Sequence, residues 1–252
     1  MTIQTGLADG IATLTLDHPP LNVLTLALVR ELRRSLAGLA QEPELRAVLI
    51  AAEGKHFSAG ADVGEHLPPV YREMIPEFVQ TLEALASFPV PVIAAVRGRC
   101  LGGGFELAQC ADVIVAGESA SFGQPEIVLG VTAPVACALL PRRGGPGAAA
   151  ELLFGGDAIP ARRAADLGLV QRVVPDEQVE SEARALAQRF ARHSAAALRA
   201  TKKTLLAAAD GPRADALRAA QDIYLEELME TEDALEGLHS FVEKRSPSWR
   251  HR

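Results

Sequence analysis

The sequence predicts an α/β fold in which parallel strands alternate with helices and a helical segment follows. Short apolar, β-branched runs separated by longer stretches favour a parallel sheet, because its central strands are buried on both faces. The predicted strands are Ile11–Leu16, Ala47–Ala51, Val92–Val96 and Val113–Ala116. Beyond Val174-Pro175 no segment has a convincing strand pattern, which predicts a helical C-terminal region.

Periodicity and helix-breaking residues define the remaining elements. Ile11–Leu16 alternates apolar residues with alanine and threonine, and Pro19 and Pro20 end the strand. Apolar residues recur every three or four positions over Thr25–Leu39, which predicts an amphipathic helix. Further helices are predicted over Phe78–Leu85, Gln178–Ala191, Ala195–Ala209, Asp215–Leu228 and Asp233–Lys244. The pattern divides the chain into an α/β core, residues 1–190, and a helical C-terminal region, residues 191–252.

Composition and charge exclude several classes of protein. The 252 residues include 32 acids and 25 bases, a net charge of −7, whereas nucleic-acid binding needs a basic face. The first ten residues lack the basic and apolar regions of a secretory signal, and proline interrupts the longest apolar runs. We therefore expect a cytoplasmic protein with no membrane-spanning segment. The cysteine and histidine spacings predict no disulfide framework and no metal site.

Two glycine-rich loops follow predicted strands. Phe57–Val63 comes after the strand that ends at Ala51, and Leu101–Leu107 comes after the strand that ends at Val96. Ligands of parallel sheets bind at the carboxyl ends of the strands, and glycine lets the backbone approach a ligand closely. Two such loops could direct two N–H groups at one oxygen atom, as in an oxyanion hole. The alternative is that both are only tight turns.

Two glutamates lie in or near these loops among small and apolar residues. Glu106 belongs to the second loop, and Glu126 follows the third apolar strand. Glu106 could simply interact with a helix dipole, and Glu126 could be a solvated surface group. Apolar surroundings, however, raise the pKa of a carboxyl toward the range used in acid–base catalysis.

Five segments, in this order, resemble the motifs of the crotonase superfamily, which includes enoyl-CoA hydratases and isomerases. They are Phe57–Asp62, Pro91–Gly98, Leu101–Ala108, Phe122–Glu126 and Phe241–Arg245. Together they extend over nearly the whole chain. The resemblance implies a β-β-α superhelical core and a helical C-terminal region that forms trimers, alone or as a dimer of trimers.

The resemblance also implies roles for four positions. The N–H groups of Ala61 and Gly103 would bind the thioester oxygen of an enolate, Glu106 would activate water, and Glu126 would protonate carbon. Because both glutamates are present, a hydratase acting on an α,β-unsaturated acyl-CoA is favoured over an isomerase or another crotonase-type acyl-CoA enzyme. CoA would be part of the substrate, so no cofactor is expected.

Further positions would bind the CoA and the acyl group. The CoA contacts implied by the resemblance are Asn22, Val23, Leu24, Lys55, Ala59, Asp62, Phe241 and Lys244. Phe241 and Lys244 would come from this subunit or from a neighbouring one, and both lysines could equally be ordinary solvated charges. His66 follows the first loop and is expected to line the acyl pocket with Pro134.

A narrower resemblance concerns the segment after the second glutamate. Val131–Pro141 differs from ordinary enoyl-CoA hydratases and resembles the cyclohexa-1,5-diene-1-carbonyl-CoA hydratases, as do Val63–His66, Arg97–Cys100 and Tyr224–Met229. In related simple hydratases a glycine at the position of Pro134 donates an N–H to the attacking water, and proline has none. The water would then be held by the glutamates alone or be displaced, which suits a bulky or cyclic conjugated dienoyl-CoA.

Two expectations concern partners. Crotonase relatives include RNA-binding and scaffolding proteins, and Arg30, Arg33 and Arg34 lie on one predicted helix. A helical arginine cluster is usually a solvated face, so the acidic net charge makes this the weaker alternative. The leucines of the C-terminal helices predict self-association, because their apolar faces need a partner.

Overall fold

The computed structural model describes residues 2–209 and 211–252, and it confirms the predicted α/β core. The main sheet has the strand order β1-β2-β3-β4-β6-β9; β1 and β2 are antiparallel, and the other neighbours are parallel. Its strands are β1 (Thr2–Ala8), β2 (Ile11–Asp17), β3 (Ala47–Ala52), β4 (Val92–Val96), β6 (Val113–Gly117) and β9 (Arg172–Val174). A second sheet contains β5 (Arg99–Leu101), β7 (Ser121–Gly123) and β8 (Ile159–Pro160) in the order β5-β7-β8.

Helices cover the sheet and form the end of the chain. The α-helices are α1 (Leu26–Leu39), α2 (Tyr71–Ala86), α3 (Gly103–Gln109), α4 (Pro134–Gly155), α5 (Ala161–Asp166), α6 (Val179–Phe190), α7 (Ala195–Ala209), α8 (Arg213–Asp222) and α9 (Glu232–Val242). A π-helical segment, Ile223–Leu228, continues α8, and 3-10 turns occur at Gly64–His66, Pro125–Leu129 and Asp176–Gln178.

Several predicted bounds needed correction. The helix expected at Phe78–Leu85 begins at Tyr71, because the exposed polar residues of its first turns hide the period. The Gly144–Gly147 cluster divides α4 into two helical parts: Gly145 has a non-helical φ of +82°, and the chain kinks there, as a helix-breaking sequence predicts. The strands that were not predicted, such as β5 and β7, are three residues long or less, or lie at the sheet edge as β1 does.

The central strands are buried on both faces, as their continuous apolar sequences predict. Along β3, Val48 and Ile50 contact a large core that includes residues of α1, α2 and α3, whereas Ala47 and Leu49 contact a smaller core formed with α6. Side chains of a strand alternate between faces, so a single run of apolar residues supplies both cores.

The two glycine-rich loops lie side by side because the backbone pairs them. The Ser58 N–H donates to the Arg99 carbonyl at 3.0 Å, and the Leu101 N–H donates to the Ser58 carbonyl at 3.0 Å. Gly102 then adopts a φ of +51°, a conformation that favours glycine, and α3 begins immediately afterwards. The first loop is thereby placed beside the N-terminus of α3.

The C-terminal region contains α7, α8, the π-helical segment and α9, and residues 243–252 follow as turn and irregular structure. An ion pair between buried Lys202 and exposed Asp112 attaches α7 to the α/β core: Lys202 Nζ lies 2.5 and 2.6 Å from the two carboxylate oxygens of Asp112. The boundary between residues 190 and 191 stays a prediction. Within residues 2–209 and 211–252, no helix combines the length and apolarity needed to cross a membrane.

Candidate active site

Both glycine-rich loops open onto one cavity of about 250 Å³. The other walls come from α2, from the turn Pro125–Leu129 and from the segment that leads into α4. The predicted site residues that line it are Ala59, Ala61, His66, Gly103, Glu106, Glu126 and Pro134. Met74, Ile75 and Phe78 of α2 give the cavity an apolar side. The predicted site residues of both loops therefore meet in a single place.

The backbone N–H groups of Ala61 and Gly103 lie close together at the cavity wall. A Cβ added at Gly103 would lie 3.1 Å from the Ala61 nitrogen and 3.1 Å from Phe78 Cζ, so a side chain would crowd this point. In the described part of the chain, neither N–H donates a hydrogen bond to a protein acceptor. Two adjacent unpaired N–H groups facing a partly apolar cavity are suited to binding an anionic oxygen.

Glu106 projects from the first turns of α3, and its carboxylate is sealed from solvent. The residue is 3% exposed, and Oε1 accepts hydrogen bonds of 2.9 Å from the N–H groups of Val135 and Ala136. These N–H groups belong to the first turn of α4, where a helix N-terminus stabilises negative charge. Burial, together with the charge of Glu126, outweighs them and raises the pKa of Glu106 to about 7.

Glu126 lies in the turn Pro125–Leu129 and is half-buried. In the amide orientation that satisfies its hydrogen bonds, the Gln124 side chain donates to Oε2 at 3.0 Å and to Oε1 at 3.3 Å. Gly102 makes room for this carboxylate, since a Cβ there would lie 2.6 Å from Oε1. Burial raises the pKa of Glu126, and the nearby charge of His66 lowers it.

Three groups that hold the two carboxylates were not predicted from the sequence. Gln124 lies two residues before Glu126 and is buried, yet its sequence context carries no signal besides proximity. The N–H groups of Val135 and Ala136 do have a signal. Proline is favoured at the first position of a helix, so Pro134 indicates that the next N–H groups point out of a helix N-terminus.

His66 and Pro134 both line the cavity, as expected of acyl-pocket residues. His66 is half-buried, and its Nδ1 lies 2.8 Å from the Asp62 carbonyl oxygen. Pro134 is the first residue of α4 and has no N–H to direct into the cavity. Their roles toward a substrate remain predictions.

The residues expected to bind CoA lie in different environments. Ala59 lines the cavity, and Asp62 is the residue directly after Ala61, outside the cavity lining. Lys55 is exposed, and Phe241 and Lys244 are exposed at the end of α9, with Phe241 at 85%. None of these last three is among the cavity-lining residues.

Asn22 and Leu24 both have structural roles. Asn22 is 0% exposed, and its amide donates to the carbonyls of Glu53 and His56 at 2.9 and 2.7 Å. The Asn22 side chain therefore holds the loop after β3, and its contact with CoA stays a prediction. Leu24 is buried in the core and pairs with Ala61 as an isolated bridge, which leaves Val23 as the half-exposed residue of the three.

Two other sequence features have structural explanations. Arg30 and Arg33 of α1 form ion pairs with Glu73 and Glu77 of α2, so these arginines are not a free basic face. In the residues that the structure describes, no three His, Cys, Asp or Glu side chains gather closely enough to hold a metal ion.

Comparison with known proteins identifies similar chains over the full length. Residues 6–252 match the family model described as Enoyl-CoA hydratase/isomerase. Cyclohexa-1,5-dienecarbonyl-CoA hydratase from Thauera aromatica is 39% identical over 245 residues, which cover 97% of this chain and 95% of the relative. A probable enoyl-CoA hydratase from Bacillus subtilis is 36% identical, and the match covers 98% of each chain.

Solved structures give the same picture. The crystal structure of enoyl-CoA hydratase from Bacillus anthracis has a TM-score of 0.95 at 33% identity and covers 100% of both chains. A putative enoyl-CoA hydratase from Streptomyces coelicolor has a TM-score of 0.93 at 34% identity, with 100% of this chain and 95% of that chain covered.

Proposed function

Because this chain belongs to the enoyl-CoA hydratase/isomerase family, a crotonase family of acyl-CoA enzymes, we propose that its cavity adds water to an α,β-unsaturated acyl-CoA thioester. The chain is an enzyme of the enoyl-CoA hydratase type, a hydro-lyase. One observation supports the proposed site above all others. Two carboxyls with raised pKa values converge beside two backbone N–H groups that have no protein acceptor in the described part of the chain.

In the proposed mechanism, the N–H groups of Ala61 and Gly103 bind the thioester oxygen. Glu106, ionised near neutral pH, takes a proton from water as the water oxygen bonds to the electrophilic carbon. The electrons move onto the thioester oxygen, and the resulting enolate then takes a proton from Glu126 at carbon. Each N–H donor of this kind lowers the barrier by roughly 2.7–4 kcal/mol.

The finer proposal is that the acyl group is a cyclic conjugated dienoyl group. Pro134 offers no N–H to a water molecule, and the next two N–H groups are occupied by Glu106. A displaced water suits a dienoyl thioester, because conjugation carries the electrophilic position further from the carbonyl. The apolar side formed by α2 would contact the ring, and the Thauera relative is named for such a substrate.

Comparing two substrates tests this specificity. We expect kcat/KM for cyclohexa-1,5-diene-1-carbonyl-CoA to exceed that for crotonyl-CoA, with a hydroxylated product in each case. A preference for crotonyl-CoA of about tenfold, near 1.4 kcal/mol of transition-state binding, would exclude the proposed cyclic substrate. The proposed hydratase activity would still stand.

The remaining proposals concern the CoA and the assembly. Val23, Ala59 and Asp62 would contact the CoA of the same subunit, and Lys55 would meet a phosphate as a point charge. Phe241 and Lys244 would contribute from a neighbouring subunit. Several leucines of the C-terminal helices are exposed: Leu205, Leu206, Leu217 and Leu225. We propose that a trimer, or a dimer of trimers, covers them; a stable monomer in light scattering would contradict this.

A further inference from the structure

His66 is the third titratable side chain that lines the cavity. Among the lining residues, only His66, Glu106 and Glu126 titrate, and the mechanism proposed for hydration uses only the two glutamates. His66 and Glu126 line the same cavity, and the charge of His66 lowers the pKa of Glu126. An imidazole has two ring nitrogens and can accept a proton at one while the other stays hydrogen-bonded.

The backbone and side chains of the preceding turn hold this imidazole in place. Asp62 Oδ1 accepts the Glu65 N–H at 3.1 Å, and the Glu65 carboxylate accepts the Leu26 N–H of α1 at 2.6 Å. The carbonyl oxygen of Asp62 only accepts, so the His66 Nδ1, 2.8 Å away, must carry a proton and donate it. Nε2 is therefore the nitrogen left to face the cavity.

One turnover leaves the glutamates in the wrong protonation states. Glu126 has given its proton to carbon and is a carboxylate, whereas Glu106 has gained the proton of water. Glu106 is sealed at 3% exposure, while Glu126 and His66 are half-buried. Glu126 is therefore the carboxyl that protons can reach more easily, and His66 is the other half-buried titratable side chain in the same cavity.

We propose that His66 is a proton relay between solvent and Glu126, a role that rests on the proposed hydratase activity. The protonated imidazole transfers its Nε2 proton to the Glu126 carboxylate and becomes neutral, while Nδ1–H stays bonded to the Asp62 carbonyl. A buffer acid then reprotonates Nε2. Glu106 releases its proton to water that enters as product leaves, so one proton is taken up and one released, and one water is added to the substrate.

The variant His66→Asn tests the relay. Asparagine keeps an N–H donor for the Asp62 carbonyl but cannot carry a proton at the position of Nε2. In dilute buffer we expect kcat to fall by at least about tenfold. The loss should stay below the ~10²–10⁴-fold expected for a group that transfers a proton directly to substrate. Because the relay acts after the carbon is protonated, kcat/KM should change by less than about twofold.

Rescue separates a relay from a packing role. Added imidazole should restore kcat of His66→Asn in proportion to its concentration and leave the wild type unchanged. His239→Asn is the matched control: it removes a histidine of α9 that does not line the cavity, and it should behave as wild type. An isotope measurement in the dehydration direction gives a second readout. Deuterium that Glu126 removes from carbon should wash out into water more slowly in His66→Asn.

The possible outcomes are distinguishable. A kcat of His66→Asn equal to wild type in dilute buffer overturns the relay. So does a loss that imidazole does not restore and that lowers kcat/KM equally, since His66 then acts in packing or binding. A wild-type enzyme that hydrates no acyl-CoA overturns the proposed function, whereas an active wild type with a buffer-independent variant overturns the relay alone.

Discussion

Glu106 and Glu126 carry the same carboxyl group but differ in burial and in hydrogen-bond partners. Glu106 is sealed, and one of its oxygens is occupied by two N–H groups of α4. Glu126 is half-buried, faces the amide of Gln124 and lies beside a histidine. Desolvation by burial is the main cause that raises both pKa values.

In the proposed mechanism, this contrast in environment divides the acid–base work between the two carboxyls. A group with a pKa near 7 can serve as a base at neutral pH, because it is ionised yet still attracts a proton. A group open to solvent through a relay can serve as the acid that must be reprotonated in each turnover. The fold supplies the difference by burying Glu106 on α3 and leaving Glu126 half-buried in the turn Pro125–Leu129.

The largest expected effect comes from removing either carboxylate. Glu106→Gln and Glu126→Gln should each lower kcat for hydration by ~10²–10⁴-fold, because each loses a proton-transfer group. Binding of the CoA ester should change little, since most of its contacts lie away from the reacting carbons. Steady-state kinetics and calorimetric titration with a product analogue measure the two effects. A variant that keeps more than about a tenth of the rate would exclude that residue from the role.

Displacing the Glu126 carboxylate should lower kcat by less than removing it does. Gly102→Ala introduces a Cβ that would lie 2.6 Å from Glu126 Oε1, at a φ of +51°. A misplacement of about 1 Å can lower kcat by about 10²-fold. Gly145→Ala is the matched control, because Gly145 has a φ of +82° but no atom near the added Cβ. Equal losses in the two variants would attribute the effect to backbone strain instead of to Glu126.

The pH dependence of kcat/KM should show the ionisation of the buried Glu106 carboxyl. Glu106 must be ionised to accept a proton, and its pKa is about 7. We therefore expect log kcat/KM to fall as the pH drops below about 7, approaching a tenfold loss per pH unit. An acid limb centred near the usual glutamate pKa of ~4.3 would contradict this assignment.

The smallest expected effect is on stability: Glu106→Gln, which should lower activity, should make the folded protein more stable above neutral pH. The folded protein raises the pKa of Glu106 from 4.5 to about 7, so it binds a proton more tightly than the unfolded chain does. Stability is therefore full below the unfolded pKa and is lost as the pH rises through about 7. Glu106→Gln should raise the free energy of unfolding at pH 8 by up to about 3 kcal/mol, with the gain vanishing toward pH 4. Thermal unfolding of the wild type and the variant at both pH values measures this gain. An equal gain at pH 4 and pH 8 would show that the raised pKa of Glu106 is not its cause.

Much of this site could be predicted because its chemistry depends on local sequence. Glycines after strands and acids among apolar residues indicate the two loops, Glu106 and Glu126, whereas Ala61 and Gly103 were assigned through the resemblance to the crotonase superfamily. Asn22 could not be placed in the same way. Its burial depends on carbonyls of Glu53 and His56, which lie far along the chain and approach it only when β2 and β3 pair.

The fold was predictable to a similar degree and for similar reasons. Long periodic segments such as α1 and the buried strand β3 depend on their own residues. The three-residue strands β5 and β7 depend on each other, and they carry too few side chains for a period to emerge. These short strands are the ones that bring the two glycine-rich loops together.

Addition of water to an acyl-CoA thioester in this cavity is tested most directly with oxygen-18 water. The wild-type enzyme would be incubated with crotonyl-CoA and with cyclohexa-1,5-diene-1-carbonyl-CoA, and the products identified by mass spectrometry. We expect an intact hydroxyacyl-CoA that carries one heavy oxygen in its new hydroxyl. A double bond moved without a hydroxyl, or free CoA with a labelled carboxylic acid, would contradict the proposed hydration.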